Sequence, residues 1–366
     1  MTPEAYERCE LCPRQCHAAR SQGVRGFCGA TSTLRVARSA LHFWEEPPIS
    51  GESGSGAIFF SGCPLRCAFC QNHEISHGGF GIEVSSSRLA RMMLELESQG
   101  ALNINLVTPL HYAPHVREAV SLAREKGLSV PIVCNTSGYE LAGVVRDMAD
   151  VVDVWLTDFK YASPTLARDL SGAEDYPEVA ATALVEMLDC VRAAGGALLA
   201  DDGAMRRGII VRHLVLPGHA EDSVAVLDRV WELCGNDVDL SVMNQFTPNE
   251  ACRAKGGDLA RAVTDDDCAA QARHRLSCRR AAARTGDERS RRDASRDSRS
   301  GTTDPRHDGA LLHFQGKLMS TLQFATSQGK PVVVVGSLNM DLVMRTPRVP
   351  VGGETLHGHE FSTLPG

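Results

Sequence analysis

The sequence predicts an α/β protein whose parallel sheet consists of six strand–helix units arranged as a partial barrel. Between residues 56 and about 246, short apolar runs alternate with stretches that repeat apolar residues at helical spacing. This alternation is typical of parallel strands joined by right-handed helical crossovers. Six such units are two fewer than a closed eight-stranded barrel needs, so the expected sheet is open on one side.

The predicted elements follow one another in a regular order along the chain. Each strand candidate is a short apolar run, and the six lie at Ala57–Ser61, Asn103–Thr108, Pro131–Asn135, Val152–Thr157, Gly208–Leu216 and Leu240–Gln245. Helical periodicity separates them at residues 88–97, 115–126, 139–147, 177–193 and 222–233. In the first of these helices, Leu89, Met93 and Leu96 share one face, which is expected to lie against the sheet.

Three cysteines directly follow the first predicted strand. Cys63, Cys67 and Cys70 form a C-x3-C-x2-C motif, and a neighbouring glycine and proline favour a loop over a helix. Thiolates select iron–sulfur clusters or zinc. Three protein ligands leave a metal position open, as a reaction at the metal requires. The alternative is a zinc site completed by His73 or His77, although these histidines, like His111 and His213, are expected to act as hydrogen-bonding groups.

Polar residues also follow each of the other five predicted strands. They lie at residues 107–112, 134–139, 157–160, 212–218 and 243–248. Sites in such barrels form at the carboxyl ends of the strands, which meet at one edge of the sheet. These residues and the cysteine loop are therefore expected to line a common site.

The cysteine loop, with Phe69 in its aromatic position, resembles the cluster-binding motif of the radical S-adenosylmethionine (SAM) superfamily. Further runs resemble its pyruvate formate-lyase activating enzyme-like subfamily over residues 8–265, among them residues 46–51, 70–76, 103–109, 135–140, 158–160 and 211–218. The resemblance implies a partial (β/α)6 barrel with a [4Fe–4S] cluster on the three cysteines. It also implies an enzyme that cleaves SAM reductively to a 5′-deoxyadenosyl radical, which abstracts hydrogen from a substrate.

The resemblance further implies partners and a substrate class. An electron donor such as flavodoxin or ferredoxin is expected, together with a protein substrate, as in the activation of a glycyl-radical enzyme. The activating enzymes carry a Gly-Gly-Glu run after the second strand, where this chain has Leu106–Pro109. The identity of the substrate therefore stays open.

The same resemblance assigns cofactor-binding roles to polar residues at the strand ends. Thr108 is expected to face the SAM amino group, while Asn135 and Ser137 are expected to bind its ribose or carboxylate. Asp158 and Lys160 lie two residues apart and share a face of their strand, so they either pair with each other or bind the ligand. Arg212 either pairs with the SAM carboxylate through its planar fork of donors or meets a structural carboxylate.

A second cysteine cluster precedes the predicted barrel, within a cysteine-rich segment at residues 1–50. Cys9, Cys12, Cys16 and Cys28 have spacings that suit a zinc site or a second iron–sulfur cluster. Glycines and a proline surround them, as in a small knuckle stapled by a metal. The rival interpretation is a zinc module that binds nucleic acid, for which three nearby arginines are the local support.

Composition and charge exclude several classes of protein. The net charge of −7 gives no overall field that favours nucleic acid, which is not expected as a partner. The first residues have no apolar signal-peptide core, and no apolar run reaches the ~18 residues of a membrane span. Thirteen cysteines without an export signal indicate metal ligands in a reducing compartment, so a cytoplasmic location is expected.

The chain changes character after the barrel, which is predicted to occupy residues 51–265. Residues 266–329 form an arginine-rich linker that is predicted to be disordered, since residues 271–306 hold eleven arginines and a single large aliphatic side chain. Residues 330–366 resemble the start of a ribokinase-type sugar kinase, cut off before its nucleotide site. Two alternatives to a working radical SAM enzyme follow: a zinc-binding interaction protein, or a chain from a disrupted reading frame that binds a cluster but is inactive.

Overall fold

The computed structural model describes residues 3–264, Asp267, 340–345 and 360–365. Its strands are β1 (Arg35–His42), β2 (Ser55–Phe60), β3 (Ile82–Glu83), β4 (Ile104–Val107), β5 (Ile132–Thr136), β6 (Val154–Asp158), β7 (Leu198–Leu199), β8 (Met205–Leu214), β9 (Asp239–Met243), β10 (Met340–Arg345) and β11 (Glu360–Pro365). Its α-helices are α1 (Pro47–Ser50), α2 (His73–Ser76), α3 (Ser86–Ser98), α4 (Ala113–Glu125), α5 (Ala142–Met148), α6 (Pro164–Ser171), α7 (Tyr176–Ala193), α8 (Ala220–Cys234) and α9 (Glu250–Lys255).

Strands β1 to β9 form one mostly parallel sheet. Its order is β3-β1-β2-β4-β5-β6-β8-β7, and β9 also pairs with β8. Six strands run parallel in the order β2, β4, β5, β6, β8 and β9. They are the six predicted strands, and helices connect them, so the predicted α/β class is confirmed. Closure of the six strands into a partial barrel stays a prediction.

The core lies between the parallel strands and the helices that cover them. All five residues of β5 are buried, as expected of a central parallel strand covered on both faces. Helix α3 buries Leu89, Met93 and Leu96 through the predicted apolar face. Its start is fixed by Ser85, whose side chain accepts a hydrogen bond from the backbone of Arg88.

Several elements were not predicted, and β1 matters most for the site. It pairs antiparallel with β2 and with β3, so the end of the predicted cysteine-rich segment at residues 1–50 is part of the sheet. Its sequence carries two arginines, a serine and a histidine among eight residues, which gives weak apolar alternation. Helix α6 was also missed because it is only eight residues long.

The region after residue 264 is described only in part. Asp267 lies within the predicted linker and accepts a hydrogen bond from the backbone of Gly218 at 2.9 Å; the other residues of 266–329 lie outside the described residues. Strands β10 and β11 pair antiparallel within the predicted ribokinase-like segment, whose predicted first strand, near residue 331, also lies outside them. None of the described helices is long and apolar enough to cross a membrane.

Candidate active site

A cavity of about 290 Å³ lies at the carboxyl ends of the parallel strands. The cysteine loop that follows β2 forms one wall, and the residues that end β4, β5, β6, β8 and β9 form the others. All ten residues predicted for the cluster and the SAM site line this one cavity: Cys63, Cys67, Phe69, Cys70, Thr108, Asn135, Ser137, Asp158, Lys160 and Arg212. The structure therefore brings them together, while their individual roles stay predictions.

Each sulfur of the cysteine loop is held by a hydrogen bond. The backbone N–H of Leu65 donates to Cys63 Sγ at 3.4 Å, and Ser171 Oγ donates to Cys67 Sγ at 3.0 Å. Cys70 Sγ and Ser76 Oγ share a hydrogen bond of 3.3 Å. Hydrogen bonds to cluster-ligating sulfurs stabilise thiolates and tune their potential.

The donor set of this loop fits an iron–sulfur cluster. The three thiols are free, line one cavity and are soft ligands. Among the described side chains, no three His, Cys, Asp or Glu are already arranged around a single ion, so the fit rests on this donor chemistry. Burial raises the pKa of the Cys63 and Cys67 thiols, and binding of a metal must therefore displace their protons.

The cysteine loop is also clamped from the far end of the sheet. The side-chain amide of Asn249 donates to the carbonyl oxygens of Ala68 and Cys70 at 3.1 and 3.3 Å. Phe69 lies between the rings of Tyr161 and Phe246, with centroids 6.4 and 6.2 Å away. Asn249 was not predicted from the sequence, because it lies 179 residues after Cys70 and its only local signal is that it begins a short helix.

Asp158, Lys160 and Arg212 form a compact charged cluster in the cavity wall. Lys160 Nζ lies 2.5 Å from Asp158 Oδ2, and Arg212 Nε lies 3.0 Å from Asp158 Oδ1. Burial raises the pKa of Asp158, but its two cationic neighbours outweigh this and hold it below its usual value. Burial lowers the pKa of Lys160, and the Asp158 carboxylate more than compensates. All three groups are therefore charged near neutral pH.

Every nitrogen of the Arg212 guanidinium has a partner. Besides the contact with Asp158, its Nη2 donates to Asn135 Oδ1 at 2.6 Å and its Nη1 lies 3.3 Å from Glu45 Oε2. Glu46 Oε1 lies 4.0 Å from Nε. Arg212 thus meets structural carboxylates, one of the two predicted alternatives. Neither Glu45 nor Glu46 was predicted as a site residue, although Glu46 begins one of the runs noted above.

Thr108 adopts a backbone conformation that is rare for its residue type. Its φ of +56° lies in the left-handed region, which is strained for a β-branched residue. The backbone N–H donates to Asn135 O at 2.8 Å, and this bond ties the end of β4 to β5. Strain of this kind clusters at functional sites, which agrees with the place of Thr108 in the cavity wall.

The turn after β5 is held against the end of β6 by Tyr176. The Tyr176 hydroxyl donates to Ser137 O at 2.8 Å and accepts from the backbone of Lys160 at 2.9 Å. Gly138 has a φ of +79°, and a Cβ there would overlap the Asp158 carbonyl oxygen. Ser137 Oγ reaches the buried carboxyl of Glu140 at 3.5 Å, and burial raises the pKa of Glu140 to about 8.

Three of the four histidines noted in the sequence bond to the backbone, as predicted. Nε2 of His77 lies 3.1 Å from Leu65 O, and Nε2 of His111 lies 2.9 Å from Ser61 O. Nδ1 of His213 lies 2.8 Å from Phe159 O.

The N-terminal cysteines Cys9, Cys12, Cys16 and Cys28 do not line the cavity. They lie beside the cysteine loop, because the backbone of Cys63 donates to Cys28 O at 3.3 Å.

Comparison with known proteins agrees with this geometry. Residues 57–196 match the model of the Radical SAM superfamily, so the chain contains a radical SAM superfamily domain. This family implies a [4Fe–4S] cluster and SAM as cofactors and supports the status of an enzyme. The match includes the three cysteines of the loop and every predicted cofactor-binding residue except Arg212.

Two curated proteins match parts of the chain. The uncharacterized protein MJ0674 of Methanocaldococcus jannaschii is 25% identical over 253 residues, which cover 66% of this chain and 67% of that protein. A ribokinase of Lactococcus lactis is 57% identical over 35 residues, or 10% of this chain and 12% of the enzyme. The second match is too short to define a ribokinase domain.

Some solved structures are similar to part of the chain at low sequence identity. SuiB of Streptococcus suis, solved bound to SAM, is 15% identical with a TM-score of 0.37, over 51% of this chain and 39% of SuiB. A radical SAM methyltransferase from Sphaerobacter thermophilus is 12% identical with a TM-score of 0.37, over 58% of this chain and 67% of the enzyme. The matched part thus spans about two-fifths of the length of SuiB.

Proposed function

We propose that the protein is a radical SAM enzyme with a [4Fe–4S] cluster bound by Cys63, Cys67 and Cys70. The observation that carries the proposal is the single cavity that these cysteines share with the polar ends of five parallel strands, within and next to the matched domain. When bound and reduced by one electron, the cluster and SAM together supply a 5′-deoxyadenosyl radical that abstracts hydrogen from a substrate.

Lys160 is the cation proposed to bind the carboxylate of SAM. An ammonium group has three donors, and Asp158 takes one of them in the described structure. Arg212, in contrast, faces two carboxylates, Asp158 and Glu45, which already offset its charge, and it also donates to Asn135. Arg212 is therefore proposed as a positioning residue that fixes Asp158 and Asn135, rather than as the partner of the SAM carboxylate.

The remaining polar groups are proposed to hold the rest of the SAM molecule. Thr108 and the backbone around it lie at the strand end suited to the amino group, and Asn135 and Ser137 supply hydrogen bonds to the ribose. Phe69 lies between two aromatic rings, and Cys67 in the same loop accepts a hydrogen bond from Ser171. These contacts are proposed to hold the cysteine loop in place at the cavity wall.

The subfamily and the substrate are further proposals. The runs that resemble the pyruvate formate-lyase activating enzyme-like group support a protein substrate, such as a glycyl-radical enzyme, and an electron donor such as flavodoxin or ferredoxin in the cytoplasm. The replacement of the Gly-Gly-Glu run by Leu106–Pro109 leaves the substrate itself unassigned.

The test is a SAM titration of the anaerobically reconstituted, reduced protein, followed by electron paramagnetic resonance of the cluster. SAM is expected to change the spectrum of the wild-type protein, and a Cys63→Ala/Cys67→Ala/Cys70→Ala variant is expected to lack that signal. A triple variant whose cluster spectrum still responds to SAM, or a wild-type spectrum that SAM leaves unchanged, contradicts the proposal.

A variant of Lys160 tests the proposed carboxylate contact separately. Lys160→Met removes a charge-assisted hydrogen bond worth about 1.5–3 kcal/mol, so SAM affinity is expected to fall about 10- to 100-fold. Lys126→Met, at the exposed end of α4, is the matched control and is expected to leave affinity unchanged. Equal affinities for the two variants refute the assignment of Lys160.

A further inference from the structure

Residues 9–28, called here the N-terminal knuckle, hold four free cysteines in a tightly folded loop. Cys9 is the anchor of this loop: its N–H donates to Ala18 O at 3.1 Å, and its carbonyl accepts from His17 at 3.0 Å. Cys9, Cys12 and Cys28 are buried, while Cys16 is exposed. None of the four forms a disulfide in the described structure, so another kind of cross-link is needed if the cysteines stabilise the loop.

Three sulfur atoms of the knuckle, those of Cys9, Cys16 and Cys28, lie close to Gly26 or Arg20. A Cβ on Gly26 would lie 3.3 Å from Cys16 Sγ and 3.5 Å from Cys28 Sγ, and 3.7 Å from the Arg20 side chain. Arg20 Nη1 in turn lies 3.4 Å from Cys9 Sγ. The absence of a side chain at Gly26 therefore leaves space between two of the thiols.

Arg20 is a fully buried cation with no carboxylate beside it. Its guanidinium donates to the carbonyl oxygens of Thr31 and His111 at 2.8 and 2.7 Å, and its flanks meet the rings of Tyr6 and Tyr112. Among the described residues, no Asp or Glu lies within ion-pair distance of it. A buried charge is normally compensated by an opposite charge or by a metal site, and metal-bound thiolates next to Cys9 would supply that negative charge.

The backbone of the knuckle is strained beside Cys16. Gln15 and His17 have φ values of +37° and +53°, a region that non-glycine residues rarely adopt without compensation. The small apolar cluster at the knuckle contains the buried residues Tyr6, Cys9 and Leu11, while Cys28 packs into the main core. A core of this size does not stabilise a strained loop by itself, so small modules of this kind depend on a disulfide or a metal.

We propose that Cys9, Cys12, Cys16 and Cys28 bind a second metal centre through four thiolates, with Arg20 as its buried counter-charge. Four thiolates suit either a structural zinc ion or an iron–sulfur cluster, since both are soft-ligand sites. This centre is separate from the cluster on Cys63, Cys67 and Cys70, because its cysteines do not line the cavity.

The second centre has a structural consequence for the cysteine loop. The Cys28 carbonyl accepts a hydrogen bond from the backbone of Cys63 at 3.3 Å. Arg14, which lies between Cys12 and Cys16, donates to the carbonyl oxygens of Pro64 and Gly172 at 2.8 and 2.7 Å. A metal that fixes the knuckle therefore also fixes the position of the cluster-binding loop.

The test uses the full chain with the cavity cysteines removed, so that it does not depend on the proposed enzyme activity. The Cys63→Ala/Cys67→Ala/Cys70→Ala variant is prepared anaerobically with zinc in one arm and with iron and sulfide in the other. It is expected to retain one metal centre per chain, seen as one zinc ion or as a cluster's complement of iron and sulfide. Absence of metal in both arms overturns the proposal.

A fourth substitution in the same background identifies the ligands. Adding Cys16→Ala, at an exposed position, is expected to cause the loss of the retained metal, whereas adding Cys190→Ala, on α7, is expected to leave it in place. Equal metal content in these two variants overturns the proposal.

Cobalt binding provides a second test that does not depend on whether the Cys16→Ala variant folds. Co²⁺ added to the variant that lacks only the cavity cysteines is expected to show thiolate-to-metal charge-transfer absorption of a tetrahedral four-sulfur site. A spectrum without thiolate bands contradicts the assignment.

Discussion

Thr108 has a strained backbone conformation and also lines the cavity. Its left-handed φ of +56° is unfavourable for a threonine by about 1–3 kcal/mol, and the hydrogen bond from its N–H to Asn135 O holds it there. The strain keeps the end of β4 turned toward the site. The hydroxyl and the backbone geometry can therefore be tested separately as proposed contributions to SAM binding.

Two substitutions of Thr108 separate these contributions. Thr108→Gly removes the strain at the cost of added freedom in the unfolded chain, so the free energy of unfolding is expected to rise by about 1 kcal/mol. Thr108→Ala keeps the strain and removes the hydroxyl, so it is expected to weaken SAM binding without stabilising the fold. Denaturant unfolding and SAM titration of both variants measure this. A Gly variant less stable than the Ala variant contradicts the account.

Glu140 predicts a pH dependence of stability. Its folded pKa of about 8 lies above its ordinary value of 4.5, so the folded state binds one more proton than the unfolded chain between these pH values. Stability is therefore greatest below the lower value and falls as pH rises toward 8, by at most about 1.4 kcal/mol per pH unit. Glu140→Gln is expected to flatten this slope.

The control for this prediction is Glu125→Gln, at the exposed end of α4, which is expected to keep the wild-type slope. Urea unfolding of equally metal-loaded proteins between pH 5 and pH 9 compares the three chains. Identical slopes for the wild-type protein and the Glu140→Gln variant show that the carboxyl does not titrate as described.

At the scale of single residues, contacts between residues close in sequence can be predicted, whereas contacts between residues far apart in sequence cannot. Asp158 and Lys160 were expected to share a strand face; Lys160 instead lies two residues beyond the end of β6, and the two residues form an ion pair. Glu45 was not identified, since it lies 167 residues before Arg212 and belongs to the segment before the first predicted strand. Pairings of this kind follow from the order of strands in the sheet, which one sequence does not reveal.

At the scale of elements, the site depends on how neighbouring strand ends are joined. Gly138, in the turn after β5, approaches the Asp158 carbonyl so closely that a Cβ would overlap it. Tyr176 from α7 then bonds to both Ser137 and Lys160. These contacts set the distance between the two strand ends that carry proposed SAM ligands.

Gly138→Ala is expected to destabilise the protein several times more than replacement of a glycine that has a positive φ but open space around it. Gly127→Ala supplies that reference, because Gly127 has a φ of +98° but nothing within 4 Å of the added Cβ. Its cost is expected to be about 1–3 kcal/mol, with SAM affinity retained. Gly138→Ala is expected to lose SAM affinity as well. If denaturant unfolding shows a similar loss of stability for the two variants, the close approach of Gly138 to the Asp158 carbonyl is contradicted.

Long periodic helices were predicted well, whereas short elements were missed. Helices α3, α4, α7 and α8 end within two residues of their predicted bounds, because several turns of apolar periodicity define a face. Strands β3 and β7 have two residues each, and α6 has eight. Elements this short contain too few residues to show a periodic apolar pattern. Tertiary contacts, and not the local sequence, determine whether they form.

At the scale of the whole molecule, the site draws on one continuous part of the chain. The residues that line the cavity lie between Phe59 and Thr247, and the knuckle contacts them through Cys28 and Arg14. The segment at residues 330–366 supplies no lining residue among those described. The interpretation of a disrupted reading frame therefore bears on the end of the chain and not on the cavity.

A chain that ends at residue 329 is expected to keep SAM cleavage within about a factor of two of the full chain, since the described lining of the cavity ends at Thr247. A chain that begins at residue 30 lacks the knuckle and is expected to lose most of the activity. Product formation by equal amounts of the three proteins, each with its iron content measured, checks both. Loss of activity on removal of residues 330–366 alone contradicts the expectation that this segment is not needed for SAM cleavage.

The measurement that tests the central claim most directly is formation of 5′-deoxyadenosine from SAM by the anaerobically reconstituted and reduced protein. The wild-type chain is expected to form it, and the Cys67→Ala variant to form none, while Cys190→Ala retains the wild-type rate. The account is contradicted if Cys67→Ala still forms 5′-deoxyadenosine, or if the wild-type chain with a complete cluster leaves SAM uncleaved.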